Sequence, residues 1–202
     1  DRAGVVGSDG PTHHGVFDLS YLRHIPNMVL MAPKDENELQ HMLNSAINLD
    51  GPSAVRYPRG AGYGVPLDQT LRLLPIGKAE VLRDGADGII LAVGTMVYPC
   101  LEASATLALE GVSLTVVNAR FIKPLDKELF TEMFRGSCGK IFTAEENVIQ
   151  GGFGSAIIEL IEEVGINGVE ITRIGYPDSY IEQGEQSELH SRYGLDAAGI
   201  LA

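Results

Sequence analysis

The sequence has little cysteine and no long apolar run, and each absence excludes a class of protein. Cys100 and Cys138 stand far apart, so they form neither a disulfide framework nor a Cys-x-x-Cys pair for zinc or redox chemistry. No run of about 18 uninterrupted apolar residues is present, which argues against a membrane-spanning helix. The first seven residues, DRAGVVG, resemble neither a secretory signal nor a transit peptide. We therefore expect a cytoplasmic protein with no membrane partner.

Positive charge is also scarce. The chain has 15 lysines and arginines against 27 aspartates and glutamates, a formal net charge of −12 at pH 7. Such a surface repels nucleic-acid phosphates and anionic lipid, and no basic cluster offsets it, so we expect no nucleic-acid partner. Hydrophobic residues make up 45% of the 202 residues, which is enough for the core of one large domain or two small ones.

In the first part of the chain, short apolar runs flank one helical pattern. Strands are predicted at residues 28–31 and 53–57. Between them, Asp35 stands three residues before Glu38, an N-cap followed by its reciprocal acid, and predicts a helix that ends before residue 50. Residues 60–75 are glycine-rich, then polar, and we interpret them as a linker and domain boundary. This first part has the content of half a domain.

The second part alternates more regularly and predicts a complete small domain. Strands are predicted at residues 88–93, 113–117, 140–143 and 169–174, and helices at residues 97–109, 126–134, 156–164 and 187–193. Strands separated by helices of about ten residues imply right-handed crossovers and a mainly parallel sheet with helices on both faces. The predicted fold class is therefore α/β.

The segment GSDGPTHHG places Asp9 and His13 in a turn rich in glycine and proline. A carboxylate that accepts from one imidazole nitrogen fixes the tautomer and raises the basicity of the other nitrogen, as in general acid–base catalysis. The spacing of the two residues permits this contact without requiring it. An aspartate that caps the turn, with a histidine at its edge, is the structural alternative. The adjacent His14 is expected to point elsewhere.

Three arginines flank strands or turns in this chain of few cations: Arg2, Arg56 and Arg59. Arg59 follows a predicted strand at the point where the strand leaves the sheet, the usual ligand edge of open α/β folds. A guanidinium offers bidentate donors to phosphate or carboxylate groups, so these residues are candidates for binding an anionic substrate. Salt bridges to the many carboxylates of the chain are the alternative.

Other polar clusters have a structural interpretation. Glycines that open a helix after a strand can cradle a phosphate. In the segment 144–164, however, Ile157 occupies the third glycine position and Glu145 and Glu146 add negative charge, so tight packing of helix on sheet is preferred. No metal-ligand spacing such as His-Glu-x-x-His is present. The remaining histidines are interpreted as structural or solvated: His24, His41 and His190.

Longer blocks of sequence resemble a known family. They occur in order along essentially the whole chain: DRAGVVGSDGPTHHGVFDLSYLRHIPNM, MAPKDENEL, DGPSAVRYPRG, LPIGKAEVLRDG, RFIKPLD, TAEENVIQGGFGSA, IGYPDSYIEQG and GLDAAGI. These blocks resemble the 1-deoxy-D-xylulose-5-phosphate synthase family, thiamine-diphosphate-dependent transferases of the transketolase superfamily. The resemblance implies the C-terminal half of a pyrimidine-binding domain at residues 1–74 and a transketolase C-terminal domain at residues 75–202.

The resemblance also implies a reaction and a role for each candidate residue. The family joins pyruvate to D-glyceraldehyde 3-phosphate with loss of carbon dioxide, and the product feeds isoprenoid, thiamine and pyridoxal synthesis. Arg2 and Arg59 match the arginines that bind the triose phosphate. Asp9 and His13 match the acid and the imidazole that face the reacting carbons, with His13 donating a proton and Asp9 orienting it. A homodimer is implied as well.

The cofactors of the family are thiamine diphosphate and Mg²⁺, but the segments that hold them do not occur in this sequence. The Gly-Asp-Gly…Asn segment for magnesium diphosphate and the glutamate that protonates the aminopyrimidine are both expected upstream of Asp1. No cofactor-binding or metal-binding residue is therefore assigned within the chain. We expect the chain to be inactive without an N-terminal portion of the same protein.

Two alternatives stay open. The beta subunit of a 2-oxoacid dehydrogenase shares the same two-domain layout, although the DGPTHHG and YPRG blocks argue against it. A non-catalytic assembly module is the other alternative, in which the C-terminal domain would supply a dimer surface and the residual site would be silent.

Overall fold

The computed structural model describes residues 1–202, which form two β-sheets and seven α-helices. The strands are β1 (Val29–Met31), β2 (Ser53–Val55), β3 (Glu80–Arg83), β4 (Gly88–Ala92), β5 (Leu114–Asn118), β6 (Phe121–Lys123), β7 (Lys140–Val148) and β8 (Glu170–Tyr176). The α-helices are α1 (Asp18–Leu22), α2 (Glu36–Ile47), α3 (Val97–Leu109), α4 (Lys127–Gly136), α5 (Phe153–Glu163), α6 (Gln186–Arg192) and α7 (Ala197–Leu201). Two 3₁₀ helices cover Gly7–Thr12 and Gly94–Met96.

The larger sheet has the strand order β3-β5-β4-β7-β8. Strands β5, β4, β7 and β8 pair in parallel, and β3 is antiparallel to β5 at one edge. Strands β4 and β5 are buried along their whole length because helices cover both faces of the sheet. The prediction of a mainly parallel α/β sheet is confirmed.

Alternation along β4 divides the core into two layers. Ile89 and Leu91 pack with residues of α4 and α5, such as Phe153, on one side. Ile90 packs on the other side, where Leu189 of α6 belongs to the same cluster. We call these sides the α5 face and the α6 face of the larger sheet.

The smaller sheet has the order β2-β1-β6 and was predicted only in part. Strands β1 and β2 are parallel, as expected for a strand–helix–strand unit joined by α2. Strand β6 is antiparallel to β1 and comes from the chain after β5. The smaller sheet is therefore built from residues on both sides of the glycine-rich segment 60–75.

Helix α2 begins where the sequence predicted. The Asp35 carboxylate accepts a hydrogen bond from the Glu38 amide at 2.7 Å, which confirms the N-cap. The Glu38 carboxylate accepts from the Lys34 amide at 2.8 Å, one residue further back than in the standard reciprocal box. The backbone amides of Lys34 and Glu38, on either side of the N-cap residue, thus both donate to side-chain carboxylates.

The segment 60–75 contains no helix or strand, but it is fastened to α2. The Glu36 carboxylate accepts from the amides of Tyr63, Gly64 and Val65 at 2.6–3.1 Å. Further along, His41 lies 2.8 Å from the Asp68 carboxylate through its Nε2. The segment therefore follows a defined path along the helix.

Two sequence-based boundaries were wrong for a common reason. Strand β7 continues to Val148 instead of ending at residue 143, and α5 begins at Phe153 instead of residue 156. The residues between 143 and 148 include two glutamates and an asparagine, a composition typical of loops. These polar side chains can be buried in the strand because each has a hydrogen-bond partner.

None of the helices combines the length and the apolar character that crossing a membrane would require.

Candidate functional site

The predicted site residues lie on two segments that are hydrogen-bonded to each other. The loop of residues 2–15 doubles back on itself, with mutual backbone bonds between Gly4 and Gly15 at 2.8–3.0 Å. The Ala3 amide donates to the Tyr57 carbonyl at 3.0 Å, which attaches this loop to the segment 56–60 after β2. The segments that carry Arg2, Asp9, His13 and Arg59 are therefore neighbours in the structure.

Asp9 pairs with Arg59 and not with His13. The Arg59 guanidinium donates to the Asp9 carboxylate through Nη1, and the same nitrogen lies 3.4 Å from the Val6 carbonyl. Both side chains are about a third to a half exposed. The contact that we expected between Asp9 and His13 is not made, so the carboxylate holds the arginine in this arrangement.

His13 is exposed at the end of the Gly7–Thr12 helix. Its amide donates to the Gly10 carbonyl at 3.0 Å, and its Nδ1 lies 2.9 Å from the Thr12 hydroxyl. Gly10 has a φ of +69°, a left-handed conformation that glycine adopts without strain. The ring Nε2 has no hydrogen-bond partner within the chain.

His14 differs from its neighbour because both ring nitrogens are engaged. Nδ1 accepts from the Val6 amide at 2.9 Å, and Nε2 donates to the Glu182 carbonyl at 3.1 Å. One accepting and one donating nitrogen correspond to a neutral imidazole protonated on Nε2. His14 therefore links the loop 2–15 to the C-terminal region.

Arg2 lies beside the segment that carries Arg59. Its backbone has a φ of +69°, and its side chain is 39% exposed with Nε 3.9 Å from the Asp1 carboxylate. Gly15 packs so closely that a Cβ there would overlap the Arg2 carbonyl. The arginine thus keeps most of its donors available on a tightly packed backbone.

Arg56 has a structural position. Its buried guanidinium donates through Nη2 to the carbonyls of Gly15 and Glu146, at 2.7 and 2.6 Å. Its Nε lies 3.5 Å from the Asp18 carboxylate. The salt-bridge alternative is therefore correct for Arg56, which ties the loop 2–15 to β7.

Glu146 is a residue of this region that the sequence did not single out as functional. It is buried on the α6 face, and its Oε1 accepts from the Val5 amide at 3.0 Å and lies 2.8 Å from His190 Nε2. Its Oε2 accepts from the Thr95 hydroxyl at 2.6 Å. Gly4 makes room for this carboxylate, because a Cβ at Gly4 would overlap it. The buried Glu146 carboxylate thus holds the loop 2–15 through the Val5 amide.

The surroundings of Glu146 and His190 stabilise their charged forms. Burial raises the pKa of Glu146, but the hydrogen bond and charge of His190, together with Arg56, outweigh burial and leave the pKa lowered. Burial lowers the pKa of His190, but Glu146 outweighs it and the pKa is raised. Each side chain of the hydrogen-bonded pair thus favours the charged form of the other inside the protein.

Glu145 points to the α5 face. Its carboxylate accepts from the amides of Phe153 and Gly154 at 2.7 and 2.8 Å, where α5 begins. Burial raises its pKa to about 7, against the opposing effect of those amides. A Cβ at Gly154 would lie only 2.6 Å from the Thr143 hydroxyl, so the glycine serves packing, as the sequence analysis preferred.

A cavity of about 480 Å³ lies between the segment 57–63, the start of α2 and the helix α6. Arg59, Glu146 and His190 are part of its wall. His190 was predicted to be structural or solvated, and its contact with Glu146 could not be seen in the sequence. Two local features of the sequence point to this region without showing the contact. Glu145 and Glu146 are adjacent acids after an apolar run, and Gln186 and His190 have the i, i+4 spacing of one helix face.

No group of three or more histidine, cysteine, aspartate or glutamate side chains in residues 1–202 is arranged to hold a metal ion.

Comparisons with known proteins agree with the fold. Residues 77–200 match the transketolase C-terminal domain family, and residues 1–63 match the transketolase pyrimidine-binding domain family. In Geobacter metallireducens, the protein named 1-deoxy-D-xylulose-5-phosphate synthase 1 is 67% identical over all 202 residues, which span 32% of its length. In Geobacter sulfurreducens, 1-deoxy-D-xylulose-5-phosphate synthase 2 is 66% identical over 99% of the chain and 32% of the relative. The chain spans about a third of the length of these curated relatives.

Among solved structures, a split-gene transketolase described as an inactive beta4 tetramer superposes with a TM-score of 0.81. It is 32% identical, and the match covers 95% of this chain and 60% of that one. The resemblance noted in the sequence is confirmed by both domain matches and by the relatives. The chain therefore belongs to the transketolase family, and it carries residues of both the pyrimidine-binding and the C-terminal domain.

Proposed function

We propose that these 202 residues are part of a thiamine-diphosphate-dependent synthase that condenses pyruvate with D-glyceraldehyde 3-phosphate. The products would be 1-deoxy-D-xylulose 5-phosphate and carbon dioxide. The names of relatives with 66–67% identity support the reaction. The observation that carries the proposal is the joining of the loop 2–15 to the segment 56–60, which together hold every residue assigned to the substrates.

Arg2 and Arg59 are proposed to bind the phosphate of the triose. Arg59 uses one nitrogen on Asp9, so its remaining donors are free for phosphate oxygens. The ion pair with Asp9 would hold the guanidinium in one orientation, which converts phosphate binding into alignment of the aldehyde. The net charge of −12 makes such a local positive site necessary for an anionic substrate.

His13 is proposed as the acid that protonates the alkoxide formed at the aldehyde carbon. Its free Nε2 is the donor, and a positioned acid of this kind contributes about 10²–10⁴-fold to the rate. Asp9 is proposed as the carboxylate that accompanies it in catalysis. With both nitrogens of His14 engaged in the fold, His13 is the better candidate of the two histidines.

The complete enzyme is proposed to use thiamine diphosphate and Mg²⁺, with their main ligands outside these residues, and to be a cytoplasmic homodimer. The domain boundary is proposed at residues 74 and 75, at the end of the segment that lacks regular structure. The chain by itself is proposed to be inactive. The split-gene transketolase described as an inactive beta4 tetramer, of which 60% is matched by this chain, supports that view.

The test uses a joined protein, in which the 202 residues replace the matching third of the Geobacter metallireducens relative. Carbon dioxide released from labelled pyruvate is measured with thiamine diphosphate and Mg²⁺, with and without D-glyceraldehyde 3-phosphate. We expect release that the triose phosphate stimulates in the joined protein, and none from the 202 residues alone. A joined protein that assembles but stays silent would support the assembly-module alternative, and dependence on lipoamide would support the dehydrogenase alternative.

Matched variants test the assigned residues. In the joined protein, we expect His13→Asn to lower kcat about 100-fold, and Arg59→Ala to raise the KM for the triose phosphate with little change for pyruvate. His24→Asn is the control for an exposed histidine, and Arg72→Ala is the control for an arginine paired with an aspartate at the surface. Equal losses in a variant and its control would refute the assignment.

A further inference from the structure

Helix α6 presents two polar side chains to the loop that carries the candidate catalytic residues. Gln186 and His190 are four residues apart and therefore lie on the same face of the helix. The Gln186 amide donates to the Val5 carbonyl at 2.6 Å and to the Arg59 carbonyl at 3.2 Å. One side chain of the C-terminal domain thus contacts both substrate segments at once.

His190 reaches the same loop through Glu146. Its Nε2 donates to Glu146 Oε1 at 2.8 Å, and this oxygen also accepts from the Val5 amide at 3.0 Å. The backbone of Val5 is consequently held on both sides of its Cα, its N–H by Glu146 and its C=O by Gln186. The residue itself is fully buried, so water offers no substitute for either bond.

The helix is a firm support for these contacts. Leu189 lies between the two polar residues in sequence, and it is buried in the core of the α6 face. The chain before the helix makes two further bonds to the loop, from the Gly184 amide to the Gly7 carbonyl at 3.4 Å and from His14 to the Glu182 carbonyl. Movement of α6 would therefore move the loop.

We propose that Gln186 and the His190–Glu146 pair are positioning residues, which fix the backbone of Val5 and Arg59 for binding of the triose phosphate. This inference rests on the proposed function of Arg59. It adds a role in substrate binding for the C-terminal domain, whose Gln186 lies 127 positions from Arg59 in the sequence.

The burial of Glu146 and its shared contacts explain why loss of the pair should disturb the loop. The other charged groups near the His190–Glu146 pair are Arg56, which follows β2, and Asp196, which precedes α7. Without His190, Glu146 would be a buried carboxylate short of its cation, with Thr95 and Val5 as donors. Protonation of the carboxylate would weaken its hydrogen bond from the Val5 amide, and its movement toward water would break that bond.

The test compares variants of the joined protein. We expect His190→Leu to raise the KM for D-glyceraldehyde 3-phosphate about tenfold, with the KM for pyruvate unchanged, because small misplacements of a binding group are costly. His190→Gln keeps a donor for Glu146 and is expected to restore the KM to within about threefold of the unaltered protein. Gln186→Leu should act in the same direction as His190→Leu.

The matched control is His41→Leu, which removes another buried histidine that lies 2.8 Å from a carboxylate, far from the loop 2–15 in sequence. We expect His41→Leu to change neither KM. A parallel loss of kcat in both histidine variants, with unchanged KM values, would mean that His190 only stabilises the fold and would overturn the inference.

Hydrogen exchange separates this inference from the proposed function. In His190→Leu, we expect the amides of residues 4–9 to exchange at least tenfold faster, while those of β4 stay protected. Unchanged exchange in the loop would overturn the positioning role, whatever the activity. Faster exchange in a joined protein that releases no carbon dioxide would support the positioning of the loop and overturn the proposed function instead.

Discussion

The two faces of β7 place neighbouring glutamates in different surroundings. Glu145 and Glu146 are both almost fully buried. On the α5 face, Glu145 accepts from two amides at the start of α5, and burial raises its pKa to about 7. On the α6 face, the hydrogen bond and charge of His190, together with Arg56, outweigh burial, and the pKa of Glu146 is lowered.

The difference shows that the partner, rather than the depth of burial, decides the charge of a buried carboxylate. It also separates two roles. The α5 face uses its glutamate to begin a helix that covers the sheet, which is a contribution to stability. The α6 face uses its glutamate to hold Val5 in a loop of exposed candidate residues, where binding groups are commonly found.

The largest expected effect comes from filling the space beside each glutamate. A Cβ at Gly4 would overlap Glu146, and a Cβ at Gly152 would overlap Glu145. Gly4 also has a φ of +70°, whereas Gly152 has an ordinary φ of −81°. We expect Gly4→Ala to lower the free energy of unfolding by about 3–5 kcal/mol and Gly152→Ala by about 2 kcal/mol, measured by urea denaturation.

The control for both is Gly111→Ala, at a glycine with a φ of +86° and nothing within 4 Å of the added Cβ. It isolates the backbone strain, which costs about 1 kcal/mol. If Gly4→Ala loses no more free energy of unfolding than Gly111→Ala, Glu146 moves aside at little cost. The expected difference between the two faces of β7 would then be absent.

An intermediate effect concerns pH. The pKa of Glu145 is about 7 in the folded protein against an ordinary 4.5, so between pH 4.5 and 6.5 the folded state binds more protons than the unfolded state. Stability should therefore fall as pH rises through this interval, by roughly 1–3 kcal/mol. Glu145→Gln should abolish that slope, measured by urea denaturation at a series of pH values.

Glu146→Gln is the matched control for this pH dependence. Because the pKa of Glu146 is lowered, its contribution to stability is lost below about pH 4.5, outside the interval in question. The slope between pH 4.5 and 6.5 should survive when Glu146→Gln is combined with His190→Gln, because loss of Glu146 alone would leave burial to lower the pKa of His190. Its disappearance there would assign the titration to the wrong glutamate.

The smallest effect is expected for a surface contact of the helices on the α5 face. Lys127 of α4 donates to the Glu163 carboxylate at 2.6 Å, and both side chains are more than half exposed. We expect Lys127→Ala to change the free energy of unfolding by less than about 0.5 kcal/mol, and by less still in 1 M salt. A loss above 1 kcal/mol would mean that surface charges contribute to this face as much as buried ones.

The regular elements with strong local signals were predicted well. The N-cap at Asp35 and the apolar runs of β4 and β5 are properties of short stretches of sequence. The two unpredicted strands, β3 and β6, are only four and three residues long, and each is antiparallel to its neighbour. Such short strands form because a partner is already in place, which periodicity cannot reveal.

The candidate site was predicted in its members but not in its contacts. The resemblance to the family supplied Arg2, Asp9, His13 and Arg59, and their catalytic and binding roles stay predictions. The partner of Asp9 is 50 residues away in the sequence, and the partner of Glu146 is 44 residues away. No local pattern relates residues at such separations.

The sequence by itself determined the α/β class and the family, because these depend on periodicity and on recognisable blocks. The tertiary structure alone decided which side chains become partners. Adjacent residues of a strand point to opposite faces, so the identical side chains of Glu145 and Glu146 met different groups once the sheet was covered. What each glutamate contacts, and therefore its charge, depends on helices that follow it by about ten and forty residues.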